Sequence, residues 1–119
     1  MARYLLLLHR ESSDLAAMSD AERDALLARF VAWTESLKSR GVLGAAERLA
    51  ASGGTTVRRQ RDAVVVDGPY AEMRELISGL FIVEAPDQDG ANRLASECPI
   101  VALGGAIEVR EIASFPVKP

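Results

Sequence analysis

The first residues of the chain alternate in a pattern that predicts a buried strand. Neighbouring side chains of a strand point to opposite faces, so residues 3–9 present two sets of side chains. One set is Tyr4, Leu6 and Leu8, and the other is Leu5, Leu7 and His9. Because both sets are mostly apolar, this segment is typical of a central strand covered on both faces. Residues 80–83 are apolar on both faces too, and predict a second central strand.

Two later segments have the spacing of amphipathic helices. The first helix is predicted over residues 20–40, where Ser19 and Glu22 fit a capping box. The second is predicted to begin with Asp87 as its N-cap and to end before Pro99. The apolar stripes are Leu26, Phe30, Trp33 and Leu37 in the first helix, and Ala91, Leu94, Ala95 and Cys98 in the second.

The middle of the chain favours strands and turns. Residues 55–60 and 63–66 predict a hairpin with a tight turn at positions 61–62, and residues 106–112 alternate as a strand with one wet face. Residues 42–50 contain alanines that suit a helix, but the glycines around them suit a strand, which is favoured. Residues 70–77 predict a short helical segment that the Ser-Gly pair at 78–79 would end.

The resulting order is strand, helix, strand, hairpin, strand, helix, strand. It predicts an α+β fold, a ferredoxin-like antiparallel sheet with two helices on one face. Residues 1–119 are expected to form a single domain, with residues 110–119 partly an extended tail. The second apolar face of such a sheet needs cover, and a second copy of the chain can cover it because a two-fold dimer uses the same patch twice. We therefore predict a homodimer with a site near the sheet interface.

Charge and cysteine content narrow the functional classes. The net charge of −3 argues against a nucleic-acid partner, since such domains usually carry clustered positive charge. Cys98 is the single cysteine of the sequence, so a disulfide framework is excluded and a cytoplasmic location is expected. The apolar run at residues 4–8 is too short to cross a membrane, and no membrane association is expected. The sequence has no metal-ligand cluster, phosphate loop or dinucleotide motif, so neither metal nor cofactor is expected.

The most specific local feature is the turn that follows the apolar residues 64–66. Pro69 restricts the backbone of the residue before it, and Gly68 tolerates conformations that other residues avoid. Asp67 is thus predicted to sit at the end of a strand beside a rigid turn. Its carboxylate could act as a general base or a ligand anchor, or could cap the backbone N–H groups that follow.

The sequence resembles the DGPF-domain proteins of the YCII-related family along essentially its whole length. The resemblance rests on an ordered set of motifs at residues 4–8 (YLLLL), 67–72 (DGPYAE), 78–84 (SGLFIVE), 97–99 (ECP) and 105–110 (GAIEVR). Tyr70 stands where the family name has phenylalanine, Ser78 replaces the first of a frequent glycine pair, and the hairpin lacks a frequent Asp-Gly. The resemblance implies a dimeric α+β barrel in a bacterial protein.

The resemblance also implies two functions of different class. Enzyme activity is proposed for some YCII relatives from a histidine and an aspartate, but the single histidine here, His9, is not mapped onto that family residue. Some DGPF proteins resemble partners encoded with extracytoplasmic-function sigma factors, which implies a regulatory role instead.

The catalytic candidates are Asp67 and His9. His9 ends a central strand, where an imidazole is either a satisfied core group or an acid/base group. If Asp67 approaches it across the sheet, the carboxylate would orient the ring for proton transfer. The ligand-binding candidates are Gly68, Pro69, Tyr70 and Glu72. Tyr70 could line a pocket or fill the core, and Glu72 could be a second carboxylate or merely favour a helix start.

Two hypotheses follow from these residues and from the resemblance. The first is a cytoplasmic homodimer that binds a small polar molecule between the sheet and the turn at Asp67, with cofactor-independent proton transfer in a lyase, isomerase or hydrolase reaction as its chemistry. The alternative is a non-catalytic accessory protein that docks on a sigma factor. A pocket that holds both Asp67 and His9 would favour the first, and an exposed apolar patch outside the dimer interface would favour the second.

Overall fold

The computed structural model of this chain describes residues 1–11, 17–50, 54–68 and 75–116, which form strands and two helices. The strands are β1 (Ala2–Glu11), β2 (Leu43–Arg48), β3 (Thr56–Gln60), β4 (Ala63–Asp67), β5 (Glu75–Ala85) and β6 (Ala106–Glu111). The helices are α1 (Asp20–Ser39) and α2 (Gln88–Ser96), and a 3₁₀ turn spans Val101–Leu103.

Four of the strands form one antiparallel sheet in the order β2-β5-β1-β6. Helix α1 lies between β1 and β2 in the chain, and α2 lies between β5 and β6, so each helix joins two parallel strands that have a third strand between them. This arrangement is compatible with the ferredoxin-like fold. The predicted α+β class, with two helices and antiparallel sheets, is confirmed.

Both helices pack on the same face of this sheet. Leu6 on β1, Val83 on β5 and Leu37 on α1 are fully buried there. Trp33 of α1 packs against Phe81 with ring centroids 4.6 Å apart. Fully burying an aliphatic side chain of this size stabilises the fold by roughly 1.5–3 kcal/mol, so these layers are the main source of stability.

Local capping signals in the sequence fix the helix starts. The backbone N–H of Glu22 donates to Ser19 Oγ at 3.1 Å, and the N–H of Ser19 donates to Glu22 Oε1 at 3.2 Å, which confirms the predicted capping box. Asp87 Oδ1 accepts from the N–H of Gly90 at 2.7 Å, which confirms the predicted N-cap of α2. A side chain at position 90 would meet Pro86 at 3.1 Å, so glycine fits where helix propensity alone argues against it.

Strand β5 corrects one prediction. It begins at Glu75, so residues 75–77 are extended and the short helix predicted over residues 70–77 is wrong for that part; residues 70–74 lie outside the described residues. The physical reason is pairing with the end of β1, where His9 lies opposite Ile77. Ser78 and Gly79, predicted to end a helix, lie within the strand instead. The register shifts at this point: Leu8 lies opposite Gly79 and the next residue, His9, lies opposite Ile77, so Ser78 is skipped. Ser78 is thus the extra residue of a β-bulge.

The hairpin forms a sheet of its own. Strands β3 and β4 pair only with each other among the described strands, so the expectation of one continuous sheet is wrong. The tight turn lies at positions 61–62 as predicted, with Arg61 in the left-handed region at φ 56°. One face of the hairpin bears three valines that are 60–64% exposed: Val57, Val64 and Val66.

Candidate functional site

The face of the sheet opposite the helices is apolar along its centre. Leu5 and Leu7 of β1 lie opposite Ile82 and Leu80 of β5, and all four side chains are half-buried. Their strand neighbours that point the other way are buried under the two helices. We call this surface, made of Leu5, Leu7, Leu80 and Ile82, the open face.

His9 lies at one end of the open face. It is paired with Ala106 of β6 on one side and Ile77 of β5 on the other, and Ile77 is 43% exposed. The β-bulge beside it is what turns Ile77 to this face, since without the extra residue the alternation along β5 would place it under the helices. The imidazole therefore sits where the apolar surface meets solvent.

A carboxylate stands beside the His9 ring. Its Nε2 atom lies 3.4 Å from Oε1 of Glu108, which is on the adjacent strand β6. The separation is that of an ion pair, yet Nε2 is buried and makes no hydrogen bond of acceptable geometry with any described residue. Glu108 is also 3.6 Å from the guanidinium of Arg110, so its negative charge is shared. A carboxylate beside Nε2 can orient the imidazole ring, and the other ring nitrogen, Nδ1, is then the one left for proton transfer.

Asp67 lies at the end of β4 in a different environment. Its Oδ2 pairs with Nη2 of Arg58, across the hairpin, and its side chain is 25% exposed. Thr56 is directly opposite Asp67, so Arg58 is the diagonal neighbour on the same face. The arginine fixes the carboxylate in place. Gly68 follows with φ 111°, a conformation that favours glycine, as the sequence predicted.

The structure does not bring the two catalytic candidates together within one chain. The carboxylate next to His9 is Glu108, the cation next to Asp67 is Arg58, and His9 and Asp67 do not lie within ion-pair distance of each other. Of the ligand-binding candidates, Gly68 is described, whereas Pro69, Tyr70 and Glu72 lie outside the described residues.

Sequence reasoning missed both partners. Arg58 could have been found, because a hairpin with its turn at positions 61–62 places it diagonally opposite Asp67. Glu108 could not, because its contact with His9 depends on β6 lying beside β1, and no local signal reports that strand order.

Cys98 is buried in the core and chemically shielded. Its side chain is 2% exposed, and burial raises the pKa of the thiol to about 11. A thiol in this state is mostly protonated near neutral pH, and the thiolate is the reactive form. The prediction that Cys98 is a small buried hydrophobe is confirmed.

Groups of three or more His, Cys, Asp or Glu side chains that could hold a metal ion do not occur within the described ranges. Over the same residues, none of the helices has the length and apolar character needed to cross a membrane.

The fold and this site define a small α+β domain with a sheet open on one face and an imidazole–carboxylate pair at its end. The YCII-related domain family model matches residues 2–116, so the chain belongs to the YCII-related family. It is also similar to an uncharacterized protein of Rhizobium meliloti (strain 1021), with 26% identity over 115 residues that cover 94% of this chain and 93% of that protein. The family resemblance of the sequence is thus confirmed.

Proposed function

We propose that this protein is a homodimer that binds a small polar organic molecule at the His9 end of the open face. The observation that carries the proposal is the close pair of His9 and Glu108 at the end of the open face, with Nε2 and Oε1 3.4 Å apart. Cofactor-independent proton transfer is the chemistry that this pair suits, with His9 as acid and base and Glu108 orienting its ring.

The homodimer is proposed from the open face itself. Leu5, Leu7, Leu80 and Ile82 are apolar but not covered by the helices, and a second copy stacked on this face would bury the same four residues twice. Two sheets joined in this way give a dimeric α+β barrel. A single reduced cysteine suits the cytoplasm as the location of such a dimer.

Asp67 remains a candidate in this proposal, in a changed role. Because Arg58 holds its carboxylate, Asp67 suits a fixed anchor for a polar ligand better than a proton partner of His9. Gly68, Pro69, Tyr70 and Glu72, which follow Asp67 in the chain, are proposed to bind the ligand with it.

The single histidine of the chain makes the proposal directly testable. A library of polar metabolites is screened by thermal shift, and hits are titrated while the imidazole signals of His9 are followed by NMR. A ligand of the proposed site raises the melting temperature and moves the His9 signals. His9→Gln and Glu108→Gln weaken the response, whereas Glu35→Gln, an exposed carboxylate on α1, leaves it unchanged. Hits that stabilise the protein equally in all three variants would contradict the site.

A second candidate function is favoured by the valines of the hairpin. Val57, Val64 and Val66 form an exposed apolar patch outside the open face, which suits a non-catalytic accessory protein that docks on an extracytoplasmic-function sigma factor. Co-expression with such a factor, followed by size-exclusion chromatography, tests this role. Association that Val64→Glu abolishes and His9→Gln leaves intact would support it over the metabolite site.

A further inference from the structure

The residue after His9 lies in a second, separate site. Arg10 points to the helix side of β1, where it is 9% exposed, the one buried charged side chain among the described residues. It lines a cleft of about 230 Å³ between the start of α1 and the loop after the 3₁₀ turn. The other lining residues in the described part of the chain are Ala17, Met18, Glu22, Ile100, Leu103 and Gly105.

The guanidinium of Arg10 has almost no partner in the described chain. Its one hydrogen bond there runs from Nη2 to the Met18 sulfur at 3.5 Å, and no described carboxylate lies within ion-pair distance. A thioether is a weak acceptor, whereas a guanidinium stays charged and carries five N–H donors. Burying such a charge without a counter-ion is unfavourable, so the cleft calls for an anion.

The walls of the cleft select the kind of anion. Met18 and Leu103 offer apolar surface beside the charge, so a purely polar ion leaves that surface unused. Glu22 is the one carboxylate among the described lining residues, and its Oε1 accepts a hydrogen bond from the N–H of Ser19. A doubly charged phosphate would be repelled by this carboxylate more strongly than a single negative charge would be.

We propose that this cleft binds a small monocarboxylate with an apolar body. The carboxylate meets the fork of the Arg10 guanidinium, which matches it in two parallel hydrogen bonds, and the body packs on Met18 and Leu103. At about 30 Å³ for each water-sized group, the cleft has room for about eight non-hydrogen atoms, the size of hexanoate or benzoate.

The cleft is independent of the site at His9. Neighbouring residues of a strand point to opposite faces, so Arg10 lies on the covered side of the sheet while His9 lies on the open side. The close approach of the loop that forms one wall is allowed by Gly105, where a side chain would meet the carbonyl oxygens of Ile100 at 3.0 Å and His9 at 3.1 Å.

Hexanoate and benzoate are the probes, with hexanamide, benzamide and inorganic phosphate as comparisons at constant ionic strength. Calorimetric titration of the full chain is expected to show binding of the two carboxylates and weaker or no binding of the others. Arg10→Met keeps a long apolar side chain without the charge, and its affinity for hexanoate falls by at least about tenfold because charge-assisted hydrogen bonds are lost. Arg3→Met, an exposed arginine of the same strand, leaves the affinity unchanged.

Three further results decide the proposal. The melting temperature of ligand-free Arg10→Met is expected to equal or exceed that of the wild type, since an unpaired buried charge has been removed. Leu103→Phe fills the cleft from a 48% exposed position and abolishes hexanoate binding, which decides the matter if Arg10→Met does not fold. His9→Gln leaves hexanoate binding intact, so this site and the proposed site at His9 can be tested separately.

Equal binding of acids and amides, tighter binding of phosphate, unaltered affinity in Arg10→Met or Leu103→Phe, or no binding of either acid would overturn the proposal.

Discussion

Strands β1 and β5 are apolar on both faces of the four-stranded sheet, but the two faces have different surroundings. On β1, Tyr4, Leu6 and Leu8 are at most 3% exposed under the helices, while Leu5 and Leu7 between them stay half-buried on the open face. The helices of the chain thus cover one face of this strand, and the described residues leave its other face partly exposed. Apolar character on both sides of a strand indicates that both will be covered, but does not indicate what covers them.

The sharpest test of the comparison truncates one leucine on each face. Leu6→Ala leaves a cavity in a packed core, and we expect the free energy of unfolding to fall by about 2–5 kcal/mol regardless of protein concentration. For Leu7→Ala we expect a loss that is smaller in dilute protein and depends on concentration, because the side chain would be covered only in the proposed dimer. Urea unfolding at two protein concentrations measures both. Equal, concentration-independent losses would mean that the two faces do not differ as described.

A charge on the open face tests its partner directly. Leu7→Glu places a carboxylate where a second sheet would pack, and we expect the dimer dissociation constant to rise by at least about a hundredfold, roughly 2.7 kcal/mol. Light scattering during gel filtration measures the mass of the species. Leu27→Glu, at a 48% exposed position on α1, is the matched control and leaves the dimer intact. A wild-type protein that is monomeric at tens of micromolar would refute the proposed role of the open face.

Much of this contrast could be predicted from local sequence, and part of it could not. The capping box at Ser19, the Asp87 cap and the turn at positions 61–62 are short-range signals, and the structure confirms each. The start of β5 and the separate hairpin sheet depend on which strands pair. Local propensity therefore predicts a helix at residues 75–77, where β5 begins, and a single sheet, where the structure has two.

The candidate sites divide in the same way. His9 was identified because a histidine on an apolar strand is unusual, but Glu108 beside it comes from a strand nearly a hundred residues later, and only the strand order pairs them. Arg10 was not identified at all, since arginine is normally exposed and nothing in its neighbours predicts burial. The burial of a charged side chain such as Arg10 is recognised only from the folded structure.

The stability of the protein at alkaline pH depends on two titratable groups on the covered side of the sheet, Cys98 and Tyr4. Burial raises the pKa of Cys98 from the ordinary 9.0 to about 11, and burial followed by the Glu111 carboxylate raises the pKa of Tyr4. Below pH 9 both the folded and the unfolded chain keep the thiol proton; between about 9 and about 11 only the unfolded chain loses it, so the free energy of unfolding falls as pH rises. Urea unfolding across this range measures the slope. Cys98→Ala is expected to make the slope shallower, and an identical slope would contradict the burial of the thiol.

The smallest expected effect concerns the helix that provides the cover. Ser19→Ala removes the side-chain acceptor of the Glu22 N–H, and we expect the free energy of unfolding to fall by about 1 kcal/mol. Ser39→Ala, at the exposed far end of α1, is the control and changes stability by less than about 0.5 kcal/mol. Urea unfolding measures both changes. Equal effects of the two substitutions would show that the Ser19 cap does not contribute specifically to the stability of α1.

The bulge at Ser78 has a geometric consequence for any pair of stacked sheets. A bulge bends its strand and increases the local twist, and here it lies beside His9 rather than beside Leu5 or Leu7. Two copies that pack along the leucines would therefore encounter a bent strand at the imidazole end of the sheet. One inserted residue in β5 thus sets both the local twist there and the exposure of Ile77.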